Sequence, residues 1–279
     1  MHHEAFVELT KRLLVHAEAG TTDQADSTYR VPVANYSDPA RWQAEMDDIF
    51  RRVPLMLALA SEIPDPGSYK VVSVLDVPVL MTRGKDGAVR AFLDVCRHRG
   101  AIVTPEGCGS ARRHTCPYHG WTYDIDGSLV GVPGEATFGD LDTATMGLTP
   151  LSCAERVGMV FVCLTPGAEI DLDDWLAGYE EVLGPFGMGE WPLVSRREIE
   201  GANWKLVYDG YLEGYHFGSL HRDTLFKQFM SNVMTCDAWG PHQRVGFACH
   251  GIERLRNKPE EEWGDHDEGG ILQSGPLGV

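Results

Sequence analysis

Two cysteines and two histidines stand at a spacing that suits iron–sulfur chemistry. Cys96 and His98 lie in "CRHRG", and Cys116 and His119 in "CPYHGW". The pattern is C-x-H, seventeen intervening residues, then C-x-x-H. Two thiolates can hold one iron of a [2Fe–2S] cluster while two neutral imidazoles hold the other, which raises the reduction potential far above that of an all-cysteine cluster. A cluster of this kind passes one electron at a time. Two Cys and two His also satisfy tetrahedral zinc. Common zinc modules, however, pair Cys with Cys and His with His at close spacing, whereas here each loop offers one of each. Gly100 and Gly120 follow the histidines closely, where a residue without a side chain permits a sharp turn and a near approach of the backbone. Pro117 stiffens the second loop.

A second candidate site lies in "YLEGYHFGSLH", with His216 and His221. On a regular helix a spacing of i, i+5 sets two side chains roughly 140° apart. The two rings converge on one ion only if the helix breaks between them, and Gly218-Ser219 is a credible break. Two neutral imidazoles with one carboxylate and open positions form the facial triad of oxygen-activating non-haem iron. Two satisfied helical histidines are the plainer reading of the pair alone. Glu213, three residues before His216, falls on the same helical face. Asp209 lies seven residues before it.

At the two Cys/His loops the chain resembles the Rieske iron–sulfur domain, in the form found in the large (alpha) subunits of Rieske non-haem iron oxygenases. The form found in cytochrome bc-type respiratory complexes carries an extra Cys in each loop, joined as a disulfide. Ala101 and Tyr118 stand at the corresponding places here. From Asn203-Trp204-Lys205 through Glu213, His216 and His221 the chain resembles the same family's mononuclear iron region, so the likeness spans about residues 40–225.

The resemblance implies an α+β chain, with a small all-β cluster domain and a catalytic domain of antiparallel sheet and helices of the helix-grip type. It implies a [2Fe–2S] cluster on Cys96, His98, Cys116 and His119, and a mononuclear Fe(II) on His216 and His221. Glu213 would bridge the iron site to a cluster histidine of a neighbouring subunit, orienting both rings, and Asp209 would be a polar group of the iron pocket. The implied reaction is hydroxylation of a small organic molecule by O₂, as a dihydroxylation, a monohydroxylation or a demethylation. The family prior favours an aromatic or apolar substrate, as in aromatic hydrocarbon catabolism, and Tyr208, Tyr211, Tyr215, Phe217 and Phe226 are candidates to line its pocket. Electrons would come from NAD(P)H through a reductase, with or without a ferredoxin. The implied assembly is a homotrimer, or one that includes a small beta subunit.

The family's third iron ligand is an acidic residue well downstream of the two histidines, and this chain stops at Val279. Three readings stand side by side: a shortened catalytic domain, a local substitute (Asp265, Asp267, Glu268 or Asp209), or a site that holds no iron. The last leaves a Rieske electron-transfer protein or an inactive oxygenase as the alternative function.

The 279 residues carry 41 Asp and Glu against 24 Lys and Arg, a formal charge of −17 that argues against a nucleic-acid partner. The acidity suits solubility and could steer a basic redox partner. Beyond the two cluster cysteines, Cys108, Cys153, Cys163, Cys236 and Cys249 show no paired spacing. Free cysteines fit a reducing cytoplasm. No run of eighteen apolar residues marks a membrane span, and the N-terminus lacks the apolar stretch of a signal peptide.

The elements that must position these residues divide the chain into three. Residues 1–65 read as helical segments packed on the catalytic domain, with Phe6, Leu9, Leu13 and Ala17 at helical spacing and a second helix capped at Asp38-Pro39. Residues 66–166 read as the all-β cluster domain, with a hairpin turning at Asp126-Gly127 and an apolar strand in "ERVGMVFVCLTP". Residues 167–279 read as the start of the iron domain. There a helix is capped at Asp171, "LVSRREIEGANWKLV" is a strand, "YDGYLEGYHFGSLHRDTLFKQFM" is a helix interrupted by glycine, and the acidic tail is a mobile loop.

Overall fold

Apolar faces at helical spacing open the chain, and they are buried as that spacing requires. The computed structural model describes residues His3–Trp263. Helix α1 (His3–Ala19) buries Leu9 and Leu13 almost completely. A short helix α2 (Ala34–Ser37) follows. The chain divides into two compact units. One comprises 1–38, 176–186 and 197–279, the other 39–175 and 187–196. The expected first segment, 1–65, is thus split after Asp38, and its latter part belongs with the cluster loops.

In that second unit, helix α3 (Pro39–Glu45) precedes eleven strands. They are β1 (Leu55–Leu59), β2 (Ser68–Val74), β3 (Val77–Arg83), β4 (Val89–Leu93), β5 (Gly107–Ser110), β6 (Arg113–Thr115), β7 (Thr122–Asp124), β8 (Leu129–Gly131), β9 (Pro150–Leu151), β10 (Cys153–Arg156) and β11 (Met159–Val162). They form antiparallel sheets in the orders β5-β2-β3-β4-β9, β6-β7-β8 and β1-β11-β10. The expected all-β domain is present, and β1 enlarges it by pairing Leu55–Leu59 with Met159–Val162. The segment read as one apolar strand, "ERVGMVFVCLTP", is instead a hairpin. Val157 and Gly158 both take positive φ (47° and 77°) and turn β10 back onto β11.

One hydrophobic core of this unit sits under the two Cys/His loops. Val71, Leu80, Phe92, Trp121, Tyr123 and Leu129 pack with Cys96 and Cys116 in one cluster. A second cluster, with Val79, Met81, Val160 and Val162, lies between the five-stranded and three-stranded sheets that include β3 and β11.

Helix α4 (Leu172–Leu176) begins at Asp171, whose carboxylate accepts from the amides of Asp173 and Asp174 at 3.0 Å. The expected single helix here is cut short, because Ala177 and Gly178 take φ of 49° and 89° before α5 (Glu180–Leu183). The expected strand over "LVSRREIEGANWKLV" is absent. Residues 192–202 form no regular element, and α6 (Trp204–Tyr211) starts at Asn203, whose side chain accepts from the Lys205 amide at 3.0 Å. An N-cap of this kind satisfies a helix donor and fixes the start of the helix.

Strands β12 (Phe229–Trp239) and β13 (His242–Cys249) complete the first unit as an antiparallel hairpin. Leu9, Leu13 and Leu14 of α1 pack with Val233 of β12, Ala248 of β13, Ile252 and Trp263. This mixture of helices and antiparallel strands is α+β, as expected. Among the described residues, no helix is long and apolar enough to cross a membrane.

Candidate functional site

Each of the two Cys/His loops is closed by the same pair of backbone bonds. In the first, the Cys96 amide donates to Ala101 O at 2.8 Å and the Gly100 amide to Cys96 O at 2.9 Å. In the second, the Cys116 amide donates to Trp121 O at 2.8 Å and the Gly120 amide to Cys116 O at 3.0 Å. Gly100 and Gly120 hold φ of 72° and 73°, the left-handed conformation that makes the turn. The sequence places one Cys and one His in each loop, and the backbone repeats the geometry.

The loops bring the histidines together and bury the thiols. Cys96 and Cys116 are 3% and 2% exposed. The rings of His98 and His119 lie 4.7 Å apart. Trp121 stacks on His98, with centroids 4.9 Å apart and planes within 7°. His98 Nδ1 is buried and has no hydrogen-bond partner among the described residues. An orphaned ring nitrogen in a buried place is costly unless something binds it, so the donor set fits a cluster iron. Burial, then His119, then Arg99 all disfavour the imidazolium of His98 and hold its pKa below the usual value. The neutral ring is the form that ligates.

Tyr123 and Trp121 were not singled out from sequence, although their alternation in and before β7 signals a common inward face. The Tyr123 hydroxyl lies 3.3 Å from Cys96 Sγ and accepts from the Arg97 amide at 3.0 Å. Burial, and next the bond to Cys96, push the Tyr123 pKa up. It stays a neutral phenol beside the sulfur, and hydrogen bonds to cluster sulfurs are one lever on reduction potential.

The expected helix over residues 208–230 is not formed: α6 ends at Tyr211, and a 3₁₀ turn with irregular turns after it carries both histidines. After α6, a 3₁₀ turn runs Tyr215–Gly218 and ends at Ser219. These turns bring the rings of His216 and His221 to 5.1 Å, with their planes at 62°. Glu213 lies on this pair: its carboxylate accepts from His216 Nδ1 and from the amides of Tyr215 and His216. Thr224 Oγ1 sits 3.4 Å from His221 Nδ1. With both Nδ1 atoms engaged, Nε2 is the nitrogen of each ring left to ligate. Ser231 of β12 donates to Gly214 O and lies 3.1 Å from Tyr215 O, which pins the turn to the hairpin.

Asp209 pairs with a different residue. It is exposed in α6, and its carboxylate accepts the Tyr36 hydroxyl at 2.7 Å, with no hydrogen bond to either histidine among the described residues. That bond raises the Tyr36 pKa. Tyr36 O also accepts from Asn203 Nδ2 at 3.1 Å, so this one residue grips both ends of α6. Sequence carried no signal for it, since its partners lie some 170 positions away. Phe217 is buried with Phe229 and Phe247, and Phe226 packs against them, so both serve the core. Tyr208, Tyr211 and Tyr215 are exposed.

Among the described residues, no three His, Cys, Asp or Glu side chains gather about one point. A cluster with two protein ligands on each iron asks for pairs. The His216–His221 pair has no third ligating side chain beside it among the described residues. Asp265, Asp267 and Glu268 lie outside them.

Comparison with known proteins finds a family match in each of the two regions. Residues 53–148 match the Rieske [2Fe-2S] domain, and residues 188–270 match the ring hydroxylating alpha subunit (catalytic domain). Over 210 residues the chain is 34% identical to the glycine betaine monooxygenase oxygenase subunit of Chromohalobacter salexigens, covering 75% of this chain and 47% of that one. The chain belongs to the Rieske non-haem iron oxygenase large subunits. Members of this family carry a [2Fe–2S] cluster and a mononuclear iron, as both matching domains imply. The anthranilate 1,2-dioxygenase large subunit of Acinetobacter baylyi is 32% identical, over 70% of this chain and 43% of its own. A crystal structure of a quaternary ammonium Rieske monooxygenase in complex with L-carnitine superposes with a TM-score of 0.72 at 29% identity, over 81% of this chain and 64% of that one. The chain spans about half the length of the curated relatives it matches.

Proposed function

We propose that this chain is the oxygenase component of a Rieske monooxygenase that hydroxylates an N-methyl group of a small quaternary ammonium compound bearing a carboxylate. The observation that carries the assignment of an oxygenase, over a simple electron carrier, is the converged His216–His221 pair with Glu213 on His216 Nδ1. An electron carrier has no use for it. The substrate class is supported by the relatives that act on glycine betaine and carnitine. That support shifts the expectation away from aromatic hydrocarbons, although an aromatic carboxylate such as anthranilate remains the second class among the relatives.

Cys96 and Cys116 would hold one cluster iron and His98 and His119 the other, while His216 and His221 would hold the mononuclear iron through Nε2. When bound, these groups supply one-electron transfer and oxygen activation. The chain's own residues prepare the ground. Glu213 accepts a hydrogen bond from His216 Nδ1–H, which fixes the tautomer and makes Nε2 the better metal donor. Trp121 holds the His98 ring in one plane, and Tyr123 offers its hydroxyl to Cys96 Sγ. Hydroxylation of an N-methyl group gives an N-hydroxymethyl ammonium, which loses formaldehyde and a proton to leave a tertiary amine. The reaction consumes O₂, two electrons and two protons and releases water. A partner reductase drawing on NAD(P)H is the proposed electron source, and a cytoplasmic oligomer is the proposed setting.

The test is metal content joined to turnover. Anaerobically prepared protein is expected to hold about three irons and two labile sulfides per chain. With a reductase and NAD(P)H it should release formaldehyde from glycine betaine or carnitine. About two irons with two sulfides, and no formaldehyde from either compound, would mark it as an electron carrier or an inactive chain. Three irons with turnover of an aromatic carboxylate alone would keep the oxygenase and overturn the substrate class.

A further inference from the structure

The two cluster loops arise from different sheets. The first follows β4 of the five-stranded sheet, and the second joins β6 to β7 of a three-stranded one. The paired backbone bonds described above shape each loop internally and do not connect one loop to the other. Separate sheets can shift against each other by more than a metal–ligand bond tolerates, so something must set the distance between Cys96 and Cys116. Tyr123 supplies one tie, at the cluster face of the loops.

A second tie lies at their roots. Asp94 stands two residues before Cys96, and His114 two residues before Cys116. Thr104 meets both. Its amide donates to Asp94 Oδ2 at 3.1 Å, and its hydroxyl pairs with His114 Nδ1 at 2.9 Å. Asp94, Thr104 and His114 are 0%, 7% and 3% exposed. The His114 ring is held edge-on by Tyr69, with centroids 5.1 Å apart. Asp94 Oδ1 and His114 Nε2 are buried without a partner among the described residues, a cost that apolar side chains would not carry. Hydrogen bonds in such a low-dielectric interior are strong and directional.

We infer that Asp94, Thr104 and His114 are positioning residues, a buried brace that fixes the separation of the two cluster loops and thereby the geometry and potential of the cluster they hold. The inference rests on the reading that Cys96, His98, Cys116 and His119 carry the cluster. The brace acts through the loop roots and touches no iron ligand directly.

The hydroxyl of Thr104 is the part that can be removed alone. Thr104→Val keeps the shape and the backbone bond to Asp94, and Thr104→Ser keeps both bonds. The experiment uses the full chain with its cluster and reads the electron paramagnetic resonance of the reduced cluster, its reduction potential, and the rate of labile-sulfide loss in air. Thr104→Val is expected to move the g-values and the potential and to speed sulfide loss several-fold. Thr104→Ser should restore all three. Unchanged spectra and potential in Thr104→Val, with the cluster loaded, would overturn the brace, and so would equal shifts in the Val and Ser variants. If Thr104→Val takes up no cluster, a Thr104→Ser variant that loads normally supports the brace, and one that also fails overturns it. Absence of labile sulfide from the unsubstituted protein would instead overturn the cluster assignment itself.

Discussion

The cluster loops and the two-histidine turn solve the same problem, bringing two histidine rings together at a proposed iron site, by different means. The cluster loops are wrapped in sheet, their thiols are buried, and each is closed by its own backbone bonds. The histidine turn is a 3₁₀ turn running into irregular turns, its two histidines are half-buried, and one carboxylate does most of the aiming. Backbone closure shapes each loop without help from a single side chain, and side chains outside the loops, such as Thr104, set how the two loops stand to one another. Side-chain aiming makes the histidine turn depend on one residue. The difference also sets what each region tolerates, which can be tested from the top down.

The largest effect should follow loss of a ligand in the closed region. Cys116→Ala is expected to abolish labile sulfide and visible colour altogether, because one iron keeps a single thiolate. His216→Ala should abolish formaldehyde release while leaving the cluster's visible spectrum unaltered. If His216→Ala also bleached the cluster, the two regions would not be separable as described.

The open region should be the more sensitive to a residue that binds no metal. Glu213→Gln removes the carboxylate from His216 Nδ1 and keeps the shape. Loss of such an outer partner typically costs 10–100-fold in metal affinity or activity, so Fe(II) or Co(II) affinity at the turn should fall by about that factor. The matched change in the closed region, Tyr123→Phe, should alter the cluster's potential without changing iron content. Equal iron loss in both variants would erase the contrast between backbone closure and side-chain aiming.

The same contrast explains what could be read from sequence. The proposed cluster ligands lie within 24 positions of one another, and Gly100 and Gly120 announce the turns, so "CRHRG" and "CPYHGW" carry their geometry locally. The convergence of His216 and His221 was legible locally, although the helix expected around them ends at Tyr211 and turns carry both rings. What escaped notice depends on distant partners or on strained backbone. Tyr36 meets α6 across some 170 positions. The hairpin in "ERVGMVFVCLTP" needs positive φ at Val157, which a β-branched residue rarely adopts. The strand pattern before α6 met an Asn203 cap and became coil and helix instead. Thr104 is an ordinary threonine until the fold sets it between Asp94 and His114.

A smaller effect is expected from the supports of α6. Tyr36→Phe deletes one exposed hydrogen bond to Asp209, and Asn203→Ala deletes both a helix cap and a bond to Tyr36 O. Loss of an N-cap costs roughly 1 kcal/mol, and the exposed bond should cost less than that. Urea unfolding followed by far-ultraviolet circular dichroism should rank Asn203→Ala below Tyr36→Phe, and both below the unsubstituted chain. The reverse order would mean that Tyr36, through Asp209, does more than hold the helix.

The smallest effect at neutral pH, and one that grows with acid, belongs to the open region's own scaffold. Arg12 of α1 holds Asp23 and Asp237 at 2.5 Å each, and Arg244 holds Asp237 at 2.6 Å. Burial acts to raise the pKa of both carboxylates. For Asp23 the Cys236 amide, His16 and Arg12 outweigh it, and for Asp237 Arg244 and Arg12 do, so both fall below the usual value near 4. A carboxyl whose folded pKa is depressed adds stability above its unfolded pKa, and that stability is lost as pH falls toward the folded one. The attachment of α1 to β12 should therefore be unaffected from neutral pH down to about 5 and should weaken progressively below about 4. Arg12→Met should flatten this acid dependence while leaving the apolar contacts of Leu9 and Leu13 in place. Hydrogen exchange of the α1 amides is the measurement, since it reports local detachment. If α1 exchange accelerated equally below pH 4 with and without Arg12, the two carboxylates would not be what ties this helix to the hairpin behind the histidine turn.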